Sequence, residues 1–300
     1  MCGIGGIVNL NNLKPIPILK QILINQEHRG KQGCGIGFAK NNRVKIFKNV
    51  VEPRKFRLPK AIENMRVRSV IGHNRQPTCS VNIRNTHPFY SCDKKIALVH
   101  NGWISNYELL LAVLRKHNHK IRSTCDSEIL VHLIEGGDIE ENMKIFKKVS
   151  GLLNVLIIDN EGTIYVWKEN DVSIVKTDDF ILIASEESAI RDLDIIDKER
   201  EYEVIDVKRE KPLIIYPDGD VVGDYEVEKR RLRSTQTIFV RSTSAIRDCP
   251  YKNGNYDDCK VKNYMSCKYF NPDCPYKKTS YSTQCWWENS KQCWWERWVW

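Results

Sequence analysis

Layered packing of strands and helices, followed by a chemically different tail, is the fold that this 300-residue sequence predicts. Short apolar runs with strand spacing recur through the first 228 residues and alternate with two or more helix pairs, the pattern of an α+β layered domain. From Leu152 onward the pattern changes to hairpins. Past Glu228 the composition shifts: residues 229–300 hold 14 Lys or Arg against 6 Asp or Glu, and 6 of the 11 cysteines. Eight of the nine net positive charges therefore fall in the tail, and the chain divides into 1–228 and 229–300.

Ile4 to Val8 reads as a strand and Ile16 to Ile24 as a helix, until His28-Arg29-Gly30 breaks the helical spacing. Gly33, Gly35 and Gly37 predict a glycine-rich bend. Strands follow at Val44 to Phe47, Val67 to Ile71 and Ile96 to His100, and Asn101-Gly102 then signals a sharp turn. Ser105-Asn106-Tyr107-Glu108 has capping-box spacing ahead of Leu109, Leu110, Val113 and Leu114, the apolar stripe of a helix. A second helix is expected from around Asp126, burying Ile129, Leu130 and Leu133. Val155 to Ile158 and Thr163 to Trp167 flank the turn Asp159-Asn160-Glu161-Gly162. Leu213 to Tyr216 and Val221 to Val222 likewise flank Pro217-Asp218-Gly219-Asp220.

With 41% apolar and 28% charged residues, the composition is that of an ordinary globular protein and excludes disorder. No long apolar run is present, and the amino terminus lacks the charged stretch, apolar stretch and cleavage site of a secretory signal. A cytoplasmic protein with no membrane association is expected.

Chemistry is concentrated at the amino terminus. Met1-Cys2-Gly3-Ile4-Gly5-Gly6 puts a small residue second, where the initiator methionine is readily removed. Cys2 would then supply a nucleophile and a base from one residue. An α-amine titrates at about 7.7–8.0 and a thiol at about 8.5, so proton transfer between them, through a water, generates a thiolate near neutrality. The hexapeptide alone is equally a first strand carrying a small buried cysteine.

Further segments follow in order: His28-Arg29-Gly30, Gly72-His73-Asn74-Arg75-Gln76-Pro77-Thr78, Asn85-Thr86-His87-Pro88, His100-Asn101-Gly102 and Cys125-Asp126-Ser127-Glu128. Together with Met1-Cys2-Gly3-Ile4 they resemble the class II glutamine amidotransferase family, over about residues 1–225 and most strongly up to 135. The resemblance implies the four-layer αββα sandwich of N-terminal-nucleophile hydrolases. It also implies hydrolysis of glutamine to glutamate and ammonia through a thioester on Cys2, with no cofactor.

In that resemblance Arg75 grips the glutamine α-carboxylate, a planar fork making two charge-assisted bonds that lysine cannot reproduce. Asp126 holds the α-ammonium, and Thr78 supports the bound amino acid through its hydroxyl. Asn101 and Gly102 form the oxyanion hole, one with a side-chain amide and the other with a backbone N–H. His28, Arg29 and His87 read as shaping residues. Gln32, where the family commonly has aspartate, and Gln76-Pro77, in place of an aromatic-small pair, depart from the family pattern.

Family members usually fuse this domain to a synthetase that consumes the ammonia, and only 72 residues follow Glu228. The acceptor is therefore expected on a separate synthase subunit, with a nucleobase- or nucleotide-modifying enzyme as one form of it. In the tail, Lys and Arg alternate with tyrosines and tryptophans, a composition that suits nucleic-acid binding or docking to a protein. Cys249, Cys259, Cys267 and Cys274 are candidate ligands for a structural zinc or an iron-sulfur cluster, although no Cys-x-x-Cys pair is present. Two rival readings are a stand-alone γ-glutamyl amide hydrolase of the same fold, and a catalytically idle scaffold that binds through its tail.

Overall fold

The computed structural model describes residues 1–170, 172–195, 201–231 and 238–240, all within one compact unit, Met1–Ser244. The first half of the chain forms β1 (Gly3–Asn9), α1 (Pro15–Asn25), β2 (Cys34–Ala39), β3 (Val44–Asn49), α2 (Lys60–Glu63), β4 (Ser69–Asn74), β5 (Phe89–Tyr90), β6 (Ile96–Ile104), α3 (Tyr107–Lys116), α4 (Glu128–Ile134) and α5 (Ile139–Met143). The second forms β7 (Gly151–Asp159), β8 (Ile164–Trp167), β9 (Ser173–Lys176), β10 (Phe180–Ala184), α6 (Glu187–Arg191), β11 (Glu201–Val207), β12 (Pro212–Ile215), β13 (Val221–Gly223), β14 (Tyr225–Arg231) and β15 (Ile238–Val240).

The strands make two antiparallel sheets. One has the order β15-β14-β11-β9-β10-β1-β4-β2-β3, the other β13-β12-β8-β7-β6-β5. Period-two alternation decides what each face buries. Ile4 and Val8 of β1, Ile71 of β4 and Ile181 and Ile183 of β10 meet Ala97 and Val99 of β6, Leu156 and Ile158 of β7 and Ile164 and Val166 of β8 in a core shared by both sheets. Ile7, Ile36, Phe38, Val70 and Leu182, on the opposite face of the larger sheet, pack under α1 and α6. Helix α1 seats Ile16, Leu19, Ile22 and Leu23 there, all fully buried, each adding about 1.5–3 kcal/mol of hydrophobic stabilisation. On the smaller sheet, α4 lies against β5 and β6, and α5 against β12. No helix among the described residues is long and apolar enough to cross a membrane.

Three local expectations are corrected. Gly35 and Gly37 lie inside strand β2, paired with both β3 and β4, and do not form a bend. Asn101-Gly102 does not turn the chain either, because β6 runs on to Ile104 and pairs throughout with β7, with Asn101 opposite Asn154 and Gly102 opposite Leu153. Helix α3 starts at Tyr107 without a capping box: the Ser105 hydroxyl donates to the Ser150 carbonyl, and Asn106 Oδ1 accepts from Ser150 N–H. Tertiary partners have taken the groups that the local motif would use.

The composition break at Glu228 falls within β14, which pairs Val204 with Glu228 and continues to Arg231. Cys249, Cys259, Cys267 and Cys274 lie outside the described residues, as does the aromatic tail on which the nucleic-acid reading rests.

Candidate active site

Register brings the first two site residues together. Gly3 pairs with Asn74, so Cys2 and Arg75 leave adjoining ends of β1 and β4. Cys2 Sγ lies 3.4 Å from the backbone nitrogen of Gln76 and 3.5 Å from its carbonyl oxygen. Arg29 Nε donates to the Cys2 carbonyl at 3.0 Å, while His28 and Arg29 both reach Glu186, at 2.8 and 3.4 Å. Gly30 packs on the backbone of Arg75, where an added Cβ would stand 2.5 Å from the Arg75 carbonyl carbon. The His-Arg-Gly segment thus fastens the start of β1 to the end of β4, a role its sequence alone did not disclose.

Arg75 is 2% exposed. Its Nη2 donates to the carbonyls of Cys79 and Ser80 at 3.1 and 3.0 Å and touches Cys79 Sγ at 3.1 Å. Its Nη1 is buried without a hydrogen-bond partner. Leaving such a donor unmet costs about 1–3 kcal/mol, more for a charged group. One arm of the guanidinium fork is fixed and the other is open.

Strand β6 supplies the next pair. Asn101 is buried, and its carbonyl accepts from Asn154 Nδ2 at 3.2 Å. Gly102 has φ +156°, and a Cβ there would lie 1.7 Å from the Leu152 carbonyl oxygen, so only glycine lets β6 and β7 approach at this point. His73 of β4 donates through Nε2 to the His100 carbonyl at 3.1 Å. That bond joins the two sheets two residues before Arg75 and one before Asn101.

Asp126 precedes α4. Its Oδ2 accepts from Ile104 N–H at 3.0 Å, and Oδ1 faces the Ser127 hydroxyl at 3.2 Å and Cys125 Sγ at 3.6 Å. Ser127 Oγ lies 2.8 Å from Nδ1 of His100, whose Nε2 donates to Leu152 O at 2.9 Å. Cys2, Arg75, Asn101, Gly102 and Asp126 therefore share one end of the sheet stack. Thr78 is exposed on the bend beyond Arg75.

Burial dominates the electrostatics at this end of the sheet stack. Burial pushes the Cys2 thiol up, against the Gln76 N–H, the amino terminus and Arg75, which lower it; Asp126 adds to the rise. Burial also drives His73 down to about 3 and His87 well below its ordinary value, so both rings are neutral at pH 7 and stack at 3.9 Å. The Cys79 thiol, hydrogen-bonded to the Cys125 thiol and lowered further by the Arg75 charge and hydrogen bond, is held down to about 6. Cys79 and Asn154 were not singled out from sequence. Cys125, beside Asp126 in a motif, offered the only local hint of the thiol pair.

Two further features lie apart from these residues. Cys92, His119, His132 and Glu135 gather their ligating atoms within 4.8 Å of one another. A cavity of about 530 Å³ among β9, β11 and β14, lined by Lys168, Asp206 and Arg230, contains none of the site residues.

The fold is that of glutamine amidotransferases. Glutamine phosphoribosylpyrophosphate amidotransferase of B. subtilis, in complex with ADP and GMP, superposes with a TM-score of 0.60 at 22% identity, over 78% of this chain and 50% of that one. A structure described as the allosteric regulatory enzyme of purine biosynthesis superposes equally, at 23% identity. Residues 73–192 match the family model of the glutamine amidotransferase domain. Glutamine–fructose-6-phosphate aminotransferase of Methanococcus maripaludis is 35% identical over 161 residues, 53% of this chain and 26% of that protein. The Staphylococcus aureus enzyme of the same name is 31% identical over 236 residues, 74% of this chain and 38% of that protein. The chain thus spans well under half the length of these relatives, and it carries a glutamine amidotransferase domain of class II.

Proposed function

We propose that residues 1–228 hydrolyse glutamine to glutamate and ammonia through Cys2 and pass the ammonia to an acceptor site on a separate protein. The observation that carries this reading is the buried Arg75 guanidinium, whose Nη1 has no hydrogen-bond partner and whose charge acts on the Cys2 thiol. An open charged donor in a dry site suits a ligand carboxylate. Asp126, at the same end of the stack, complements it with the opposite charge for an α-ammonium, and the Thr78 hydroxyl supports the bound amino acid. A small zwitterion is thereby oriented and plain amides are rejected.

Removal of Met1 frees the α-amine of Cys2. This matters because burial disfavours the thiolate, and an adjacent base restores it. The amine takes the thiol proton, and sulfur attacks the side-chain carbonyl carbon of glutamine. The oxyanion is met by the Asn101 amide and the Gly102 N–H. The amine returns the proton to the leaving nitrogen, which departs as ammonia, and water then cleaves the γ-glutamyl thioester. The helix–sheet core beneath α1 and the core shared by the two sheets support a four-layer αββα arrangement, and β14 and β15 carry its larger sheet past Glu228. We place the protein in the cytoplasm. Because the matched relatives are much longer, we look for the acceptor, a synthase, outside the described residues.

The test is covalent. A diazoketone analogue of glutamine is expected to label Cys2 of the methionine-free chain, located by peptide mass spectrometry. Cys2→Ala is expected to reduce glutamate production to background with its circular dichroism unchanged. Label on any other residue, or turnover retained in the variant, rejects the reading. Preference for other γ-glutamyl amides over glutamine instead selects the stand-alone hydrolase.

A further inference from the structure

We propose that Cys92, His119, His132 and Glu135 form a closed four-ligand site for a divalent transition metal, with Zn2+ the best match. The four residues come from three parts of the fold. Cys92 lies between β5 and β6, His119 follows α3, and His132 and Glu135 stand at i and i+3 across the end of α4. Cys92 Sγ is 3.6 Å from His132 Nδ1 and 4.0 Å from His119 Nδ1. Glu135 Oε1 lies 3.0 Å from His132 Nδ1 and is also in contact with His119 Nδ1. Zinc bonds of about 2.3 Å to sulfur and about 2.0 Å to nitrogen or oxygen put tetrahedral ligand atoms roughly 3.3–3.6 Å apart. The observed spacings bracket that value, so small side-chain shifts suffice to close the shell.

The surroundings are those of a ligand set rather than of a chance ion pair. Both imidazoles point the same nitrogen at one carboxylate oxygen and one sulfur. The Lys120 N–H approaches Cys92 Sγ at 3.3 Å, the contact a thiolate uses to offset its charge. His132, with a fully buried side chain, leaves its other nitrogen without a hydrogen-bond partner 3.8 Å from Glu128 Oε1, so that a small ring shift makes the carboxylate–histidine bond that orients metal ligands. Glu128 is itself fixed by the backbone N–H groups of Arg122 and Ser123. A thiolate and a carboxylate together carry two negative charges, which balance a divalent ion. One soft sulfur, two imidazoles and one oxygen favour zinc over calcium or magnesium, and four protein ligands leave no open position for catalysis.

Such a site would tie down the segment between His119 and Asp126, whose far end is fixed by the Asp126–Ile104 bond. This positioning consequence rests on the glutaminase reading; metal binding itself does not. The experiment uses the full chain with Cys249, Cys259, Cys267, Cys274, Cys285 and Cys293 replaced by serine, stripped of metal and titrated with Co2+. One equivalent is expected, with tetrahedral visible bands and a sulfur-to-cobalt charge-transfer band, both displaced by one equivalent of Zn2+. Cys92→Ser is expected to lose the charge-transfer band, and His119→Ala to lose the tetrahedral spectrum. Glu128→Gln is expected to weaken binding by about 10–100-fold. Circular dichroism confirms that each variant is folded. Absence of stoichiometric binding, or spectra unchanged in folded Cys92→Ser and His119→Ala proteins, overturns the proposal and leaves an ion-pair network in its place.

Discussion

Two buried charges, Asp159 and Arg75, are treated in opposite ways by this fold. At the β7–β8 turn, Asp159 Oδ1 accepts from the N–H groups of Glu161, Gly162 and Thr163 at 2.8–2.9 Å, and Oδ2 accepts from the Tyr165 hydroxyl at 3.2 Å. At the end of β4, Arg75 has three contacts on Nη2 and none on Nη1. A charge saturated by its own chain serves the fold. A charge left open at a cost to the fold is available to a ligand.

The largest effect is expected at Asn101, the proposed oxyanion donor. Asn101→Ala is expected to lower kcat by about 100- to 1000-fold with glutamine, with little change in KM, as steady-state kinetics will show. Arg75→Lys, which keeps the charge but loses the fork, is expected to raise KM for glutamine by about 10–100-fold. If that variant loses thermal stability while KM stays the same, Arg75 belongs with Asp159 and the open-donor argument fails. Asp159→Asn is expected to cost about 1.5 kcal/mol in denaturant unfolding with kinetic constants unaltered. A kinetic defect at this turn would erase the distinction from the other side.

Much of the fold was legible where one sequence feature meets one partner. Strand β1, helix α1 and the two hairpins have apolar patterns that any packed arrangement must bury, and they form where expected. The errors share a cause. Gly35, Asn101-Gly102 and Ser105-Asn106 were read by their local habits, yet each is claimed by a distant segment. A Cβ at Gly35 would stand 2.2 Å from the His87 carbonyl oxygen, so this glycine lets a loop lie on the sheet. The site residues could be picked out because they sit in short contiguous motifs. Cys92, His119, His132 and Glu135 could not, since only His132 and Glu135 are close in sequence, and a lone His-x-x-Glu on a helix carries little information.

The place of β1 in its sheet has a consequence for biosynthesis. It lies between β4 and β10, and its second neighbour is complete only when Ala184 has been made. On the ribosome, β1 therefore acquires its ladder partners in two stages, β4 once Asn74 has been made and β10 once Ala184 has.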